Sequence, residues 1–429
     1  MAGKQFFKDR TMKVLQVNNY FSKEGGAENM MFRTAEILEK KGHQVFFFAT
    51  DKQPFACENY KYSSYFPEFV SISNLSPFSA PFYVLRSIYN RDACSKLLKL
   101  LAKTKPDIVH LNNIAYQLTP SILSACENIN IPVVMTLHNP YLMCPAVRLM
   151  INNRSYCIDE LCTRGNPLPC LINRCSDRSI PRSIVAVAEF TIRKLINFAG
   201  RIDSFIVPSN DLKRLAINAG ISQHKIYVIN NFLDDRWFID IPEPVKGSYF
   251  LYAGRLSYEK GVDIIIEALT RLPDNLEIKI TGSGTEENRL KQIVKDRGLR
   301  NISFAGFKSE DELRQEYLKC IAVIQPTRGF ETFGLSIAEA FACKRPAIGA
   351  RLGGIPEVID HNINGMIFDP ENADELARCM NYIHSNTEQI KQMGENARKK
   401  AETFYTSEVF YNKLIDVYNI AMTSYKRVK

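Results

Sequence analysis

No stretch of the 429 residues offers the roughly eighteen consecutive uncharged apolar positions that a membrane-crossing helix needs. The start, Met1 to Arg10, carries charge where an export leader would carry an apolar core, so the chain is expected to stay in the cytoplasm. It has no repeat and no low-complexity tract, which excludes solenoid, fibrous and disordered classes. Its eleven cysteines are an odd count in a chain expected to lack an export leader, which argues against a disulfide framework and for reduced thiols. The double glycine Gly25-Gly26 lacks the third glycine and the spacing of the dinucleotide fingerprint, so that motif is absent as well.

What is present describes a soluble globular protein, with 45% hydrophobic and 24% charged residues over a length that suggests two compact units. The net charge of +9 is unevenly shared: through residue 240 there are 29 Lys and Arg against 20 Asp and Glu, and beyond it 26 against 26. A basic unit beside a neutral one suggests that only the first faces an anionic partner, such as a lipid surface or a phosphorylated acceptor; solubility alone is the other reading. No nucleic-acid partner is expected.

Apolar runs alternate with helical periodicity, the pattern of βαβ units and parallel sheets. Strands are expected at Lys13–Val17, Val45–Ala49, Asp107–Leu111, Pro132–Leu137 and Ser204–Val207, with a helix over Ala27–Lys41 closed by Gly42. A polar stretch with Pro242 and Pro244 reads as a linker. The pattern then restarts with strands at Tyr249–Ala253, Leu276–Thr281, Ile302–Ala305, Ala322–Gln325 and Pro346–Ile348, and helices at Val262–Leu272 and Glu286–Arg297. The expected organisation is an α/β chain of two Rossmann-like domains, 1–240 and 241–404, followed by a terminal helix within 405–429. Ligands of such sheets bind beyond the carboxyl ends of the strands, so the strand-to-helix loops should carry the chemistry.

Three of those loops stand out. Tyr252-Ala-Gly-Arg-Leu-Ser-Tyr-Glu-Lys-Gly261 places Arg255 and Lys260 at a cleft mouth, two cations suited to a diphosphate; a solvated surface turn is the alternative. Gln325-Pro-Thr-Arg-Gly-Phe-Glu-Thr-Phe-Gly-Leu335 runs into a helix whose N-terminal amides at Phe333, Gly334 and Leu335 can cradle a phosphate. Glu331 then precedes the cradle and faces the group on the distal phosphate. Glu339 lies about one turn into the helix, where it accepts from a diol such as a ribose or else forms an ordinary ion pair. In the first domain Gly25 and Gly26 open a helix and permit close approach of a phosphate or sugar. His138 ends a strand and can point into the same cleft as a neutral imidazole, whereas His110 lies earlier on its strand and reads as core.

Gly25-Gly-Ala-Glu28, His138, Gly254-Arg-Leu with Lys260, Glu331-x7-Glu339 and Gly353-Gly-Ile-Pro-Glu357 occur in one order along nearly the whole chain. The set resembles the retaining glycosyltransferases of the GT-B fold, in the group called family 4. The resemblance implies a nucleotide diphosphate sugar on the second domain and the acceptor on the first. Arg255 and Lys260 would meet the diphosphate, Glu331 the donor sugar and Glu339 the ribose, with His138 and Gly26 across the cleft. It implies no metal and no redox cofactor, and the cleft motifs contain no Asp-x-Asp pair. A UDP-hexose donor, a saccharide or polyprenyl-linked acceptor, surface polysaccharide or glycoconjugate assembly, and a terminal helix packed back on the first domain are the further expectations. A sugar-nucleotide epimerase of the same architecture, revealed by donor turnover without acceptor, is one alternative. A non-catalytic subunit, which would bind donor without turnover, is the other.

Residues 139–200 are unusual. Cys144 precedes a C-x4-C-x7-C-x4-C run formed by Cys157, Cys162, Cys170 and Cys175; structural zinc sites use closer pairs, so reduced, partly buried thiols are favoured and zinc is the alternative. Ile184–Phe198 is an apolar helix flanked by Arg178, Arg182, Arg193, Lys194 and Arg201. It reads either as a core helix or as a surface helix that, with the Lys426-Arg-Val-Lys429 tail, lies on the inner face of the cytoplasmic membrane.

Overall fold

The computed structural model describes residues 10–23, 25–51, 60–70, 80–152, 155–157, 161–239, 241 and 247–427. Pro242 and Pro244 of the suggested linker, and Val428 and Lys429 of the basic tail, lie outside these residues. Among the described residues eight strands precede residue 240: β1 (Lys13–Val17), β2 (Gln44–Phe48), β3 (Ile108–Leu111), β4 (Val133–Thr136), β5 (Met150–Ile151), β6 (Ser155–Tyr156), β7 (Ser204–Val207) and β8 (Ile226–Val228). Six follow: β9 (Tyr249–Ala253), β10 (Ile278–Thr281), β11 (Ile302–Gly306), β12 (Cys320–Gln325), β13 (Ala347–Ala350) and β14 (Gly365–Phe368).

The first sheet is six-stranded and parallel in the order β2-β1-β3-β4-β7-β8, and the second has the order β11-β10-β9-β12-β13-β14. β5 and β6 form a separate antiparallel hairpin. Because both faces of each sheet are covered, the strands read as continuous apolar runs and not as alternating ones. Along β1, Leu15 and Val17 enter one core while Val14 enters the other, with Met30, Ile37 and Leu38 of the helix Gly26–Lys40. The second sheet is likewise lined by two cores, one around Phe250, Ile265 and Met380, the other around Leu251, Ile337 and Phe341.

Topology decides where a ligand can sit. In the second sheet the chain winds outward from β9 through β10 to β11, then returns to start β12 on the other side of β9. The loops leaving β9 and β12 therefore diverge and leave a crevice at that switch point. In the first sheet the equivalent reversal lies between β1 and β3.

The chain passes between domains twice, side by side. Phe232 is buried in the first domain's core and Leu233 and Trp237 in the second's, and the Leu233 amide donates to the Tyr405 carbonyl at 2.8 Å. The helix Ser407–Arg427 then returns to the first domain, burying Phe410, Leu414, Tyr418 and Ala421 against Val14, Ile108, Val134 and Ile206. Among the described residues no helix is long and apolar enough to cross a membrane.

Candidate active site

The β9 and β12 loops are zipped together by backbone. The Glu259 carbonyl accepts from the amides of Arg328 and Gly329 at 2.9 and 3.0 Å and from the Thr327 hydroxyl at 2.9 Å. Gly261 completes the contact: its φ is +70°, and a Cβ there would stand 2.1 Å from the Pro326 carbonyl oxygen, so only glycine lets the Lys260 turn close on the β12 loop. Lys260 Nζ consequently lies 2.6 Å from Glu331 Oε2. The same oxygen accepts from Gln325 Nε2 at 3.2 Å, and Gln325 Oε1 accepts from the Ser336 hydroxyl at 2.8 Å, so the carboxylate is held from two sides. The Glu331 carbonyl in turn accepts from the Gly354 amide at 2.7 Å.

Arg255 is held less tightly. Its side chain is 70% exposed and its ionic neighbour Glu259 is 3.8 Å away, while its carbonyl accepts from the Tyr252 hydroxyl at 2.8 Å. The loop is thus fixed and the guanidinium is left at the surface of the cleft.

From the first domain His138 follows β4. Its Nε2 lies 2.9 Å from Asn112 Oδ1, and since Asn112 Nδ2 donates to Gln16 Oε1 at 3.0 Å, that Oδ1 is the acceptor and Nε2 carries the proton. Nδ1 is left as the acceptor. Burial lowers the His138 pKa to about 4, so the ring is neutral at physiological pH. His110 is core: it bonds Tyr418 and Thr136 at 2.7 Å each, and burial lowers its pKa to about 3.

His138, Arg255, Lys260 and Glu331 line one cavity of about 190 Å³ between the domains, and Arg148 and Glu259 line it with them. The other expected site residues stand elsewhere. Gly25 has φ +109° and the Glu28 carboxylate folds back over it, whereas Gly26 faces open space. Gly334, φ +98°, caps the helix Leu335–Ala342, but the Phe333 side chain is buried in the second domain's core, edge-on to Tyr405 at 5.2 Å. Glu339 is buried on that helix and accepts from the Tyr317 hydroxyl at 2.8 Å; burial raises its pKa to about 7. An exposed surface ion pair is therefore not its environment.

Sequence reasoning missed Arg148 and the polar cluster beyond β1 and β3. Asn18 Oδ1 accepts from the Asn113 amide at 2.9 Å, and Asn139 Nδ2 donates to Asn113 Oδ1 at 3.2 Å, tying the first sheet's switch point to the His138 loop. The signal was the polar Asn112-Asn113 pair directly after a buried strand. Cys144, Cys157, Cys162, Cys170 and Cys175 form no disulfide and interact with one another, Cys170 bonding Cys175. Among the described residues no three His, Cys, Asp or Glu side chains converge as metal ligands.

Two domains of this topology with a cationic cleft define the GT-B fold, and two family models match in tandem. Glycosyltransferase Family 4 matches residues 24–237 and Glycosyl transferases group 1 matches residues 234–400. The chain belongs to this glycosyltransferase family. It is 25% identical over 228 residues to O-antigen chain mannosyltransferase C of Escherichia coli, spanning 52% of this chain and 60% of that one. It is 24% identical over 401 residues to N-acetyl-alpha-D-glucosaminyl L-malate synthase of Bacillus anthracis, spanning 92% and 93%. Matches to three curated relatives span between 44% and 60% of the relative's own length. In fold it resembles Anabaena HepE, solved with UDP and glucose, at a TM-score of 0.63 and 20% identity over 94% of this chain and 98% of that one.

Proposed function

We propose that the chain transfers a hexose, with retention of anomeric configuration, from a nucleotide diphosphate sugar to a saccharide or lipid-linked saccharide. UDP is the nucleotide we favour, and surface polysaccharide or glycoconjugate assembly the setting. The observation that carries this reading is the interdomain cavity lined by Lys260, Glu331 and Arg255 from one domain and by His138 and Arg148 from the other. UDP in the structural neighbour HepE and O-antigen assembly in the name of a relative support the nucleotide and the setting.

The chemistry follows from charge. As the bond between the anomeric carbon and the diphosphate oxygen breaks, negative charge grows on the leaving group, and fixed cations aimed there lower the barrier. Arg255 and Lys260 fill the role without a metal. The acceptor oxygen bonds the anomeric carbon on the face that the diphosphate leaves, and its proton passes to the departing phosphate oxygen, so no side-chain base is required. Glu331, fixed by Lys260 and Gln325, accepts from the donor sugar's hydroxyls. His138, with Nε2–H committed to Asn112, offers Nδ1 to another.

The test is a panel of UDP-, GDP- and dTDP-sugars scored by thermal stabilisation, followed by NMR assignment of the product anomer. Stabilisation by one donor, abolished by Arg255→Ala with Lys260→Ala, and a product that keeps the donor's configuration are expected. An inverted product would refute the retaining mechanism. Stabilisation without turnover over a panel of acceptors would leave a binding subunit.

A further inference from the structure

The outward face of the helix Ile180–Leu195 is apolar along its length. Ile180, Ile184, Val187, Ala188, Thr191 and Leu195 fall within about 100° of one another at 3.6 residues per turn, and none of them is buried. Leu195 is 78% exposed. Thr191 returns its hydroxyl to the Val187 carbonyl at 2.8 Å, so it presents its methyl group outward. The opposite face is the buried one, with Ser183, Ala186, Glu189, Phe190 and Arg193. Two helices that pack on this one extend the apolar surface: Ala80–Ile88 with Phe82, 77% exposed, and Leu85, and Leu168–Ile172 with Ile172, 69% exposed.

Among the described residues positive charge predominates around this surface. Among the described residues the three helices carry a single carboxylate, Glu189, and it is buried. Exposed Arg174, Arg178, Arg182 and Lys194 border the apolar side chains, and Asp177 nearby is paired with Arg182 at 2.8 Å. We infer that this face docks on an anionic lipid bilayer, the apolar side chains entering the acyl boundary and the cations meeting head groups. The inference rests on the proposed lipid-linked acceptor and names the surface that would meet it. A second copy of the chain is a poorer occupant, because a two-fold contact would set like-charged rims against each other.

The buried side of the helix shows what docking would achieve. Glu189 Oε1 accepts from the Tyr141 hydroxyl at 2.7 Å, Arg193 donates to the Tyr141 carbonyl at 2.6 Å, and its guanidinium lies 3.8 Å from the centre of the Tyr141 ring. Tyr141 is three residues beyond His138. The bilayer face is thus fixed to the loop that lines the transfer cavity, and a lipid-anchored acceptor would be presented beside it.

The experiment is co-sedimentation of the full chain with vesicles of phosphatidylcholine, alone or with about one-third phosphatidylglycerol. The wild type should partition onto the anionic vesicles and weaken as salt rises. Ile184→Glu with Leu195→Glu should cut partitioning roughly tenfold or more, with the thermal midpoint and the nucleotide-sugar response unchanged. Absence of wild-type binding, or equal binding by the variant, would overturn the inference. So would a wild-type dimer in sedimentation velocity that the substitutions dissolve, which would make the face an interface between copies. Vesicle binding combined with transfer only to soluble glycans would keep the docking surface and sink the lipid-linked acceptor; the reverse combination would do the opposite.

Discussion

Glu357 belongs to the second domain, yet its carboxylate caps a helix of the first. Oε2 accepts from the Asn210 amide at 2.8 Å and from Asn210 Nδ2 at 2.9 Å, and Oε1 accepts from the Asp211 amide at 2.8 Å. The helix Asn210–Asn218 starts there, and its next amide, that of Leu212, is capped by the Ser209 hydroxyl. The first two unpaired amides of a helix, at the positive end of its dipole, are therefore satisfied across the domain boundary. Glu357→Ala removes three charge-assisted hydrogen bonds. Each is worth ~1.5–3 kcal/mol in a sheltered site, but the carboxylate is half-buried and water would cap the amides in its place, so about 2 kcal/mol is a fair net figure.

That energy acts on the domain equilibrium, because both domain cores stay intact. About 2 kcal/mol corresponds to a roughly thirtyfold shift toward separated domains. Small-angle scattering of the unliganded chain should show a larger radius of gyration for Glu357→Ala, and donor should bind more weakly, since the Gly353-Gly354 turn that supports Glu331 lies just before Glu357 in the chain. Glu357→Gln, which keeps one acceptor oxygen and loses the charge, should fall between. Unchanged scattering and unchanged donor KM in Glu357→Ala would refute the reasoning.

Lys260→Ala should weaken donor binding far more than Lys260→Arg, measured by calorimetry with the nucleotide sugar, because the Arg variant keeps a cation beside Glu331. Glu339→Gln tests burial of a carboxylate whose pKa is raised to about 7. A raised folded pKa stabilises below the unfolded value of about 4.5 and loses that stabilisation as pH rises through 7, so the Gln variant should match the wild type near pH 4.5. By pH 8 it should gain up to about 3 kcal/mol in denaturant unfolding. His110 has the opposite sign. Its lowered folded pKa gives stability above the unfolded value of about 6.5 that is lost toward acid, and His110→Asn should remove about 2 kcal/mol of the fall between pH 6.5 and 4.5. For His138, neutral down to about pH 4, the kcat/KM profile should show no ionisation between pH 6 and 8 assignable to its ring, checked by comparison with His138→Asn.

Buried parallel strands were legible because their apolar runs need no partner to be recognised: Lys13–Val17, Ser204–Val207 and Tyr249–Ala253 stand in the structure at the bounds the sequence suggests. The last strand of each sheet, β8 and β14, was not. Ile226–Val228 is three residues long and only its first is buried, and Gly365–Phe368 opens on a glycine after an Asn-rich turn, so neither carries enough local signal against its flanks. The loop chemistry divides in the same way. Arg255, Lys260, Glu331 and His138 share one cavity because each lies on a loop that leaves a strand's carboxyl end, a position that strand recognition already supplies. The Phe333 side chain and Glu339 depend on what packs over them, Tyr405 and Tyr317, and no local pattern announces a partner 72 or 22 positions away.

Residues 138–148 join the cleft to the exposed helix Ile180–Leu195. This segment hangs from β4 at His138, is held to the first sheet's switch point through Asn139 and Asn113, and is held to the exposed helix Ile180–Leu195 through Tyr141, Glu189 and Arg193. It then reaches the second domain's loops through Arg148, which shares the cavity with Arg255 and Lys260. A rigid first sheet, an apolar cation-edged surface and the donor loops are thus joined through one short irregular stretch. Its conformation is specified by those three attachments and not by local propensity: Val147 and Leu149 both take positive φ, a conformation that β-branched and bulky residues adopt only when the surroundings impose it. Tyr141→Phe, which deletes the hydroxyl bond to Glu189 while keeping the ring under Arg193, is the narrowest cut through that junction. It should lower transfer to a membrane-bound acceptor while leaving donor binding unchanged, and equal loss of both would show that the stretch serves the fold of the first domain and does not connect the surface to the cleft.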